Sequence, residues 1–215
     1  QMKGCSKKSS PWLWVPTLYF AEGIPYFVVN SISVIMFNRM GMPNGKMALL
    51  TSLLYLPWVV KPLWSSFVDV IRTKRWWVTS MQLVISACFI LLALTIPYQT
   101  YSLILIIFWI TALASATHDI AADGFYMLAL SESGQSFFVG VRSTFYRLAT
   151  VFGQGVLVVV AGLLEVRMGK IAPAWSYTLL ITALIFSAVT LWHLFFLPRP
   201  ERPAVQRQST TLIVK

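Results

Sequence analysis

Charge is what this sequence has least of. Only 11% of its 215 residues are charged, and just seven are Asp or Glu. Ordinary soluble domains carry roughly 25%. So few charges cannot cover the surface of a soluble domain this long, which excludes a soluble enzyme and an acidic disordered tail. Cysteine is nearly missing too. Cys5 lies in a polar stretch and Cys88 in an apolar one, so a disulfide-rich secreted module is excluded. There is no Gly-x-Ser-x-Gly and no His-Glu-x-x-His, and the two histidines, His118 and His193, are far apart in sequence. No pattern for a hydrolase, a metal or a cofactor is present. We expect a non-enzymatic protein.

What is present is apolar. Hydrophobic residues make up 57% of the chain, enough for six membrane spans of about 20 residues. Six apolar segments can be read, at residues 12–37, 47–70, 76–96, 101–130, 137–164 and 175–197. The expected architecture is an all-α, polytopic six-helix bundle over residues 12–197, with cytoplasmic tails at 1–11 and 198–215. The net charge of +10 then reflects basic residues flanking spans and calls for no nucleic acid. Counted by connection, Lys3, Lys7, Lys8, Arg72, Lys74, Arg75, Arg142, Arg199, Arg202, Arg207 and Lys215 fall on one side of the membrane. Arg39, Lys46, Arg167 and Lys170 fall on the other. The positive-inside rule places both termini in the cytoplasm, in a cell or inner membrane. Trp12, Trp14, Trp76, Trp77 and Trp175 lie near segment ends and read as an aromatic belt.

Ionisable residues within spans are costly, so their positions carry information. The first segment holds Glu22, the second Lys61 with Asp69 at its end, the fourth His118, Asp119 and Asp123, and the fifth Arg147. The third has no charge, and the sixth has only His193 near one end. Acid, base, none, then acid, base, none suggests a three-plus-three inverted repeat, the plan of half a twelve-helix transporter. The charge-free third and sixth helices would face lipid and the other four a cavity. At 1.5 Å per residue, Glu22, Lys61, Asp119 and Arg147 all fall about 12–16 Å from the inner surface. Asp123 lies one turn below Asp119. A layer of paired charges is an inefficient way to hold helices together, so a wet cavity for a small-molecule substrate explains it better.

These same residues carry a resemblance. Lys61-Pro62-Leu63-Trp64-Ser65 followed by Asp69, Ser115-Ala116-Thr117-His118-Asp119-Ile120 followed by Asp123, Tyr146-Arg147-Leu148 and Gly23-Ile24-Pro25 resemble motifs of AmpG-type muropeptide permeases. Those permeases belong to the peptide, acetyl-CoA and drug transporter branch of the major facilitator superfamily. His118 stands where that family has Gln, and Val70 where an Arg often follows the Asp. The resemblance implies a twelve-helix fold, of which this chain would be the N-terminal half, lacking the C-terminal six-helix half and ending in the central loop. It also implies proton-coupled uptake of cell-wall sugar-peptides by symport.

On that reading Asp119, Asp123 and Glu22 serve proton coupling or gating, with Asp119 facing Arg147. Arg147, Lys61, Tyr146, His118 and Asn30 bind substrate or pair charges. The superfamily has an Asp–basic cytoplasmic latch between its second and third helices, and Asp69, Arg72, Lys74 and Arg75 stand there. Gly153, Gly155 and Gly162 read as close-packing positions. The alternative is a half-size protein, acting as a homodimeric transporter of a sugar, an acyl-CoA-like anion or a drug, or as a membrane scaffold.

Overall fold

The computed structural model describes residues 10–199. Cys5, Lys3, Lys7 and Lys8, together with Arg202, Arg207 and Lys215, lie outside the described residues. Within them the chain is helical, with five helices long and apolar enough to cross a membrane and a sixth that is bent. The spans are Pro11–Arg39, a broken pair Asn44–Val60 plus Pro62–Val70, then Lys74–Tyr98, Tyr101–Ala129, Glu132–Met168 and Ile171–Phe196. They are called spans one to six below.

Local sequence explains where the helices bend and stop. Span two bends by 50° at Lys61-Pro62, because proline offers no backbone N–H and disfavours helical backbone just before it. Span one carries Pro25, and three residues further along its backbone widens into a π-helical turn, Val28–Ile32. The Asn30 amide donates to the Tyr26 carbonyl there, at 3.0 Å. Span five holds a second π-turn, Val151–Val156. At helix starts, the Thr73 hydroxyl accepts the Trp76 amide at 3.2 Å and Ser131 accepts the Gly134 amide, as N-caps do. Gly169, at φ +64°, ends span five in the left-handed conformation.

The two π-turns meet where spans one and five cross. A Cβ added to Gly23 would stand 2.6 Å from the Ala149 Cβ, and one added to Gly153 would stand 2.7 Å from the Phe27 Cβ. The Gln154 amide donates to Ser31 Oγ across this crossing at 2.9 Å. Small residues at a helix crossing let backbones approach, and in lipid that van der Waals contact is a main source of association. Gly155 and Gly162, by contrast, have open space beside them, so of the three span-five glycines only Gly153 is a packing position.

Spans three and four pack side by side, and span six lies along span three. Phe89 and Phe186 meet edge to face at 5.5 Å in that seam. This corrects the expectation for one of the two charge-free helices. Both keep off the cavity, but half of span three's most apolar stretch is buried, against 33% for span six and 22% for span five. The reason is that polar, uncharged side chains on three and six bind each other and their neighbours. The aromatic belt also needs correction, since Trp14 and Trp175 are fully buried, while Trp12 and Trp76 are exposed.

Candidate functional site

A cavity of about 520 Å³ opens between spans one, two, four and five. Span one contributes Tyr19, Glu22 and Tyr26, and span two Tyr55, Trp58 and Lys61. Span four contributes Asp119 and Asp123, and span five Arg142, Ser143, Tyr146 and Arg147. Each set follows helical spacing of three to four residues, which puts its members on one face. Span two reaches in because its bend falls at Lys61.

The cavity holds three carboxylates and three bases. Lys61 Nζ lies 3.8 Å from Asp119 Oδ2. Arg142 lies 3.0 Å from Asp123 Oδ1, which also accepts the Tyr19 hydroxyl at 3.2 Å. The Arg142 guanidinium covers the Tyr19 ring at 4.6 Å, a favourable cation–π arrangement. Glu22 is only 8% exposed, and its Oε2 has no hydrogen-bond partner. Arg147 lines the cavity and forms no ion pair among the described residues. Two pairs are made and two opposite charges are left over.

The fourth wall is aromatic. Tyr26 meets the Trp58 ring edge to face at 5.1 Å, and Tyr55 stacks on Trp58 at 6.3 Å. The Trp58 indole N–H lies against the Asp119 carboxylate without a well-formed hydrogen bond. Buried polar atoms are normally bonded, and Glu22 Oε2 has no partner. Among the described residues no group of three His, Cys, Asp or Glu side chains could hold a metal.

Of the residues singled out from the sequence, the cavity brings together Glu22, Lys61, Asp119, Asp123, Tyr146 and Arg147. Three differ in partner or place. Asp119 faces Lys61, not Arg147, because the bend at Pro62 carries the lysine inward. Asn30 is engaged with its own helix's carbonyl and does not line the cavity. His118 also lies elsewhere, fully buried on the far side of span four. Asp119 follows it by about 100° around the helix, so one residue faces the cavity and the other the packed core. Arg142 is the residue missed. It lies inside the segment 137–164 but counts by sequence with the basic residues of the preceding connection, whereas the helix starts ten residues before it, at Glu132. The spacing 142, 143, 146, 147 was the signal available.

Behind the cavity, four spans are joined by a chain of side chains. Gln82 of span three lies 3.0 Å from His118 Nε2 of span four and 3.0 Å from His193 Nδ1 of span six. His193 Nε2 lies 2.9 Å from the Thr17 hydroxyl of span one, which in turn reaches the Trp14 carbonyl at 3.2 Å. An amide fits this spacing in either orientation. With its oxygen toward His118 and its nitrogen toward His193, each donor finds an acceptor and the chain ends on a backbone carbonyl.

The ends of the bundle are tied separately. Asp69 pairs with Lys74, whose stem packs on Gly124 of span four. Arg75 donates to the last carbonyls of span six, Leu194 at 2.7 Å and Leu197 at 3.2 Å. Arg72 lies over the Trp76 ring at 5.6 Å. At the opposite end Arg39 forks onto Glu165, which accepts the Trp175 indole N–H at 2.7 Å.

Comparison with known proteins fits this arrangement. The crystal structure of FucP, a major facilitator superfamily transporter in its outward conformation, matches with a TM-score of 0.65 at 18% identity. The match covers 94% of this chain and 55% of that one, so the chain spans about half the length of that transporter. At that identity the match shows the fold alone, that of a major facilitator superfamily transporter. The model of the BT1 family matches residues 22–137, more than half the chain and including most of the cavity's charged residues. The chain belongs to the BT1 family, with the helical fold of a major facilitator superfamily transporter.

Proposed function

We propose that this chain is the N-terminal, cavity-forming unit of a secondary active transporter. In this reading it couples proton entry to uptake of a muropeptide or similar sugar-peptide across a cell (inner) membrane, with both termini cytoplasmic. The observation that carries the proposal is the cavity itself. Six charged side chains from four spans surround one cavity of about 520 Å³ inside an apolar bundle, a placement that is expensive unless charge or a polar solute passes through.

The lining suits such a solute. Tyr26, Tyr55, Trp58 and Tyr146 offer ring faces and hydroxyls for sugars. The Arg147 guanidinium suits a planar carboxylate, which it binds through two parallel N–H bonds. A second six-helix unit would close the open side of the cavity. Asp69, Lys74 and Arg75 tie spans two, three and six at the cytoplasmic end and would act as a latch there.

The test is uptake of muropeptides, sugars and acyl nucleotides into vesicles containing the complete protein, with and without a pH gradient. Gradient-driven muropeptide uptake that falls on Asp119→Asn is expected. Full proton-dependent uptake by that variant would remove Asp119 from the coupling machinery. Gradient-driven uptake of another solute class would move the substrate assignment and leave the transporter reading standing. No transport, together with a reading frame encoding only six spans, would favour a scaffold.

A further inference from the structure

The charges of the cavity do not cancel pairwise, and the remainder is specific. Lys61 is matched by Asp119 and Arg142 by Asp123. What remains is Glu22 on span one and Arg147 on span five, two residues of opposite sign that line the same cavity without pairing. Four charged groups act on Glu22, namely Asp119 and Asp123 on span four, Lys61 on span two and Arg142 on span five, while Arg147 on span five lines the same cavity. Tyr19 on its own helix and Tyr146 on span five are the other titratable groups there. Both cations nearest in role to Glu22 are already engaged with aspartates. An ionised Glu22 would therefore be a third negative charge, buried and unbonded, which is costly. Arg147 has the opposite situation, a guanidinium left free toward the cavity with five donors in a planar fork.

The geometry points to a division of labour in which Arg147 holds one carboxylate of the substrate while Glu22 carries one proton. The substrate is then a monoanion with a single accessible carboxylate, and the loaded cavity has no more net charge than the empty one. With Glu22 ionised and the cavity empty, three acids face three bases. With a proton on Glu22 and a carboxylate on Arg147, the added charges are one positive and one negative, and the balance returns to zero. Entry of either alone leaves an unmatched charge in the cavity. That makes the two loads mutually dependent with no contact between them, and the cycle electroneutral. The inference rests on the transport reading above and narrows its substrate to singly charged members of the class.

Two measurements separate the inference from that reading. The first uses the complete protein in liposomes with N-acetylmuramyl-L-alanine, a monocarboxylate, and its neutral C-terminal amide. Uptake of the acid should follow an imposed pH gradient and ignore an imposed membrane potential, and the amide should enter at least about tenfold more slowly. Arg147→Gln should abolish the preference for the acid, with Arg147→Lys restoring part of it. Uptake of the acid driven by potential alone, or preference surviving in Arg147→Gln, would overturn the assignment. The second measurement needs no substrate. Infrared difference spectra between acid and alkaline pH should show a protonated-carboxyl band that Glu22→Gln removes and Arg147→Gln keeps. A band unaffected by Glu22→Gln would overturn the proton assignment. If neither probe is transported, the sugar-peptide reading fails, and the infrared result alone decides for or against Glu22.

Discussion

The bundle contains two polar regions that share spans one and four but are built on opposite terms. The chain Thr17–His193–Gln82–His118 uses uncharged partners, and its central links are bonded at 2.9–3.0 Å. The cavity on the other face of span four uses full charges, and leaves Glu22 Oε2 without a partner and Trp58 and Asp119 without a well-formed bond, while in the chain only the terminal His118 Nδ1 lacks one. A polar group that finds its partner within the protein stabilises the fold. One that is kept waiting is available to something else. His118 and Asp119 are sequence neighbours that fall on either side of this division.

Breaking the bonded side should have the largest effect on stability. Gln82→Leu removes the bridge and strands both imidazoles in an apolar seam. A loss of about 2–3 kcal/mol is expected, since each stranded partner carries its own desolvation penalty. Denaturant unfolding in detergent would measure it. A loss below about 0.5 kcal/mol would show that the chain is incidental to stability. Protein that stays folded should still transport, because no cavity residue has been touched.

The helix crossing behind the cavity comes next. Gly23→Ala drives a methyl to 2.6 Å from the Ala149 Cβ, an overlap expected to cost about 1–3 kcal/mol. The double variant Gly23→Ala with Ala149→Gly exchanges the two methyl positions across the contact and should recover most of the loss. Failure of that rescue would mean that glycine is needed for backbone reasons and not for space.

How much of this was legible beforehand follows the same division. Glu22, Lys61, Asp119 and Arg147 stand out in a sequence because charges are scarce in apolar runs, and helical rise alone gives their depth. Which acid faces which base was not legible. The Lys61–Asp119 pair depends on a 50° bend whose direction Pro62 permits but does not specify. Gln82 gave no signal either. A single amide in an apolar helix is common, and only the packing of span three on spans four and six shows what it bonds. Arg142 was hidden for a simpler reason: only five residues into the apolar run that begins near Phe137, it passes for a flanking basic residue, while the helix begins at Glu132 and carries it well inside the span. An N-capping serine at 131 marks that start better than hydropathy does.

On the cavity side, Lys61→Met should show a smaller stability cost than Gln82→Leu. Lys61's side chain is 37% exposed and 3.8 Å from Asp119, so water takes over part of its role. A cost of about 1–2 kcal/mol is expected, below the range for fully buried pairs. Adding Asp119→Asn should restore stability, since the uncompensated acid is then gone, but it should not restore proton-dependent uptake.

The smallest effect belongs to the end of the bundle. Arg39 pairs with Glu165, but its own side chain is 56% exposed, and exposed ion pairs contribute little. Arg39→Gln should therefore change unfolding least of the variants considered, and salt should erase part of that difference. Glu165→Gln should cost no more, since its amide oxygen can still accept the Trp175 indole N–H, now 2.7 Å from Oε1. Glu165→Leu should cost more than either, because it leaves that buried indole without an acceptor. If Arg39→Gln proves as damaging as Gln82→Leu, exposure is the wrong guide to which polar contacts hold this bundle together, and the contrast between its two polar regions loses its physical basis.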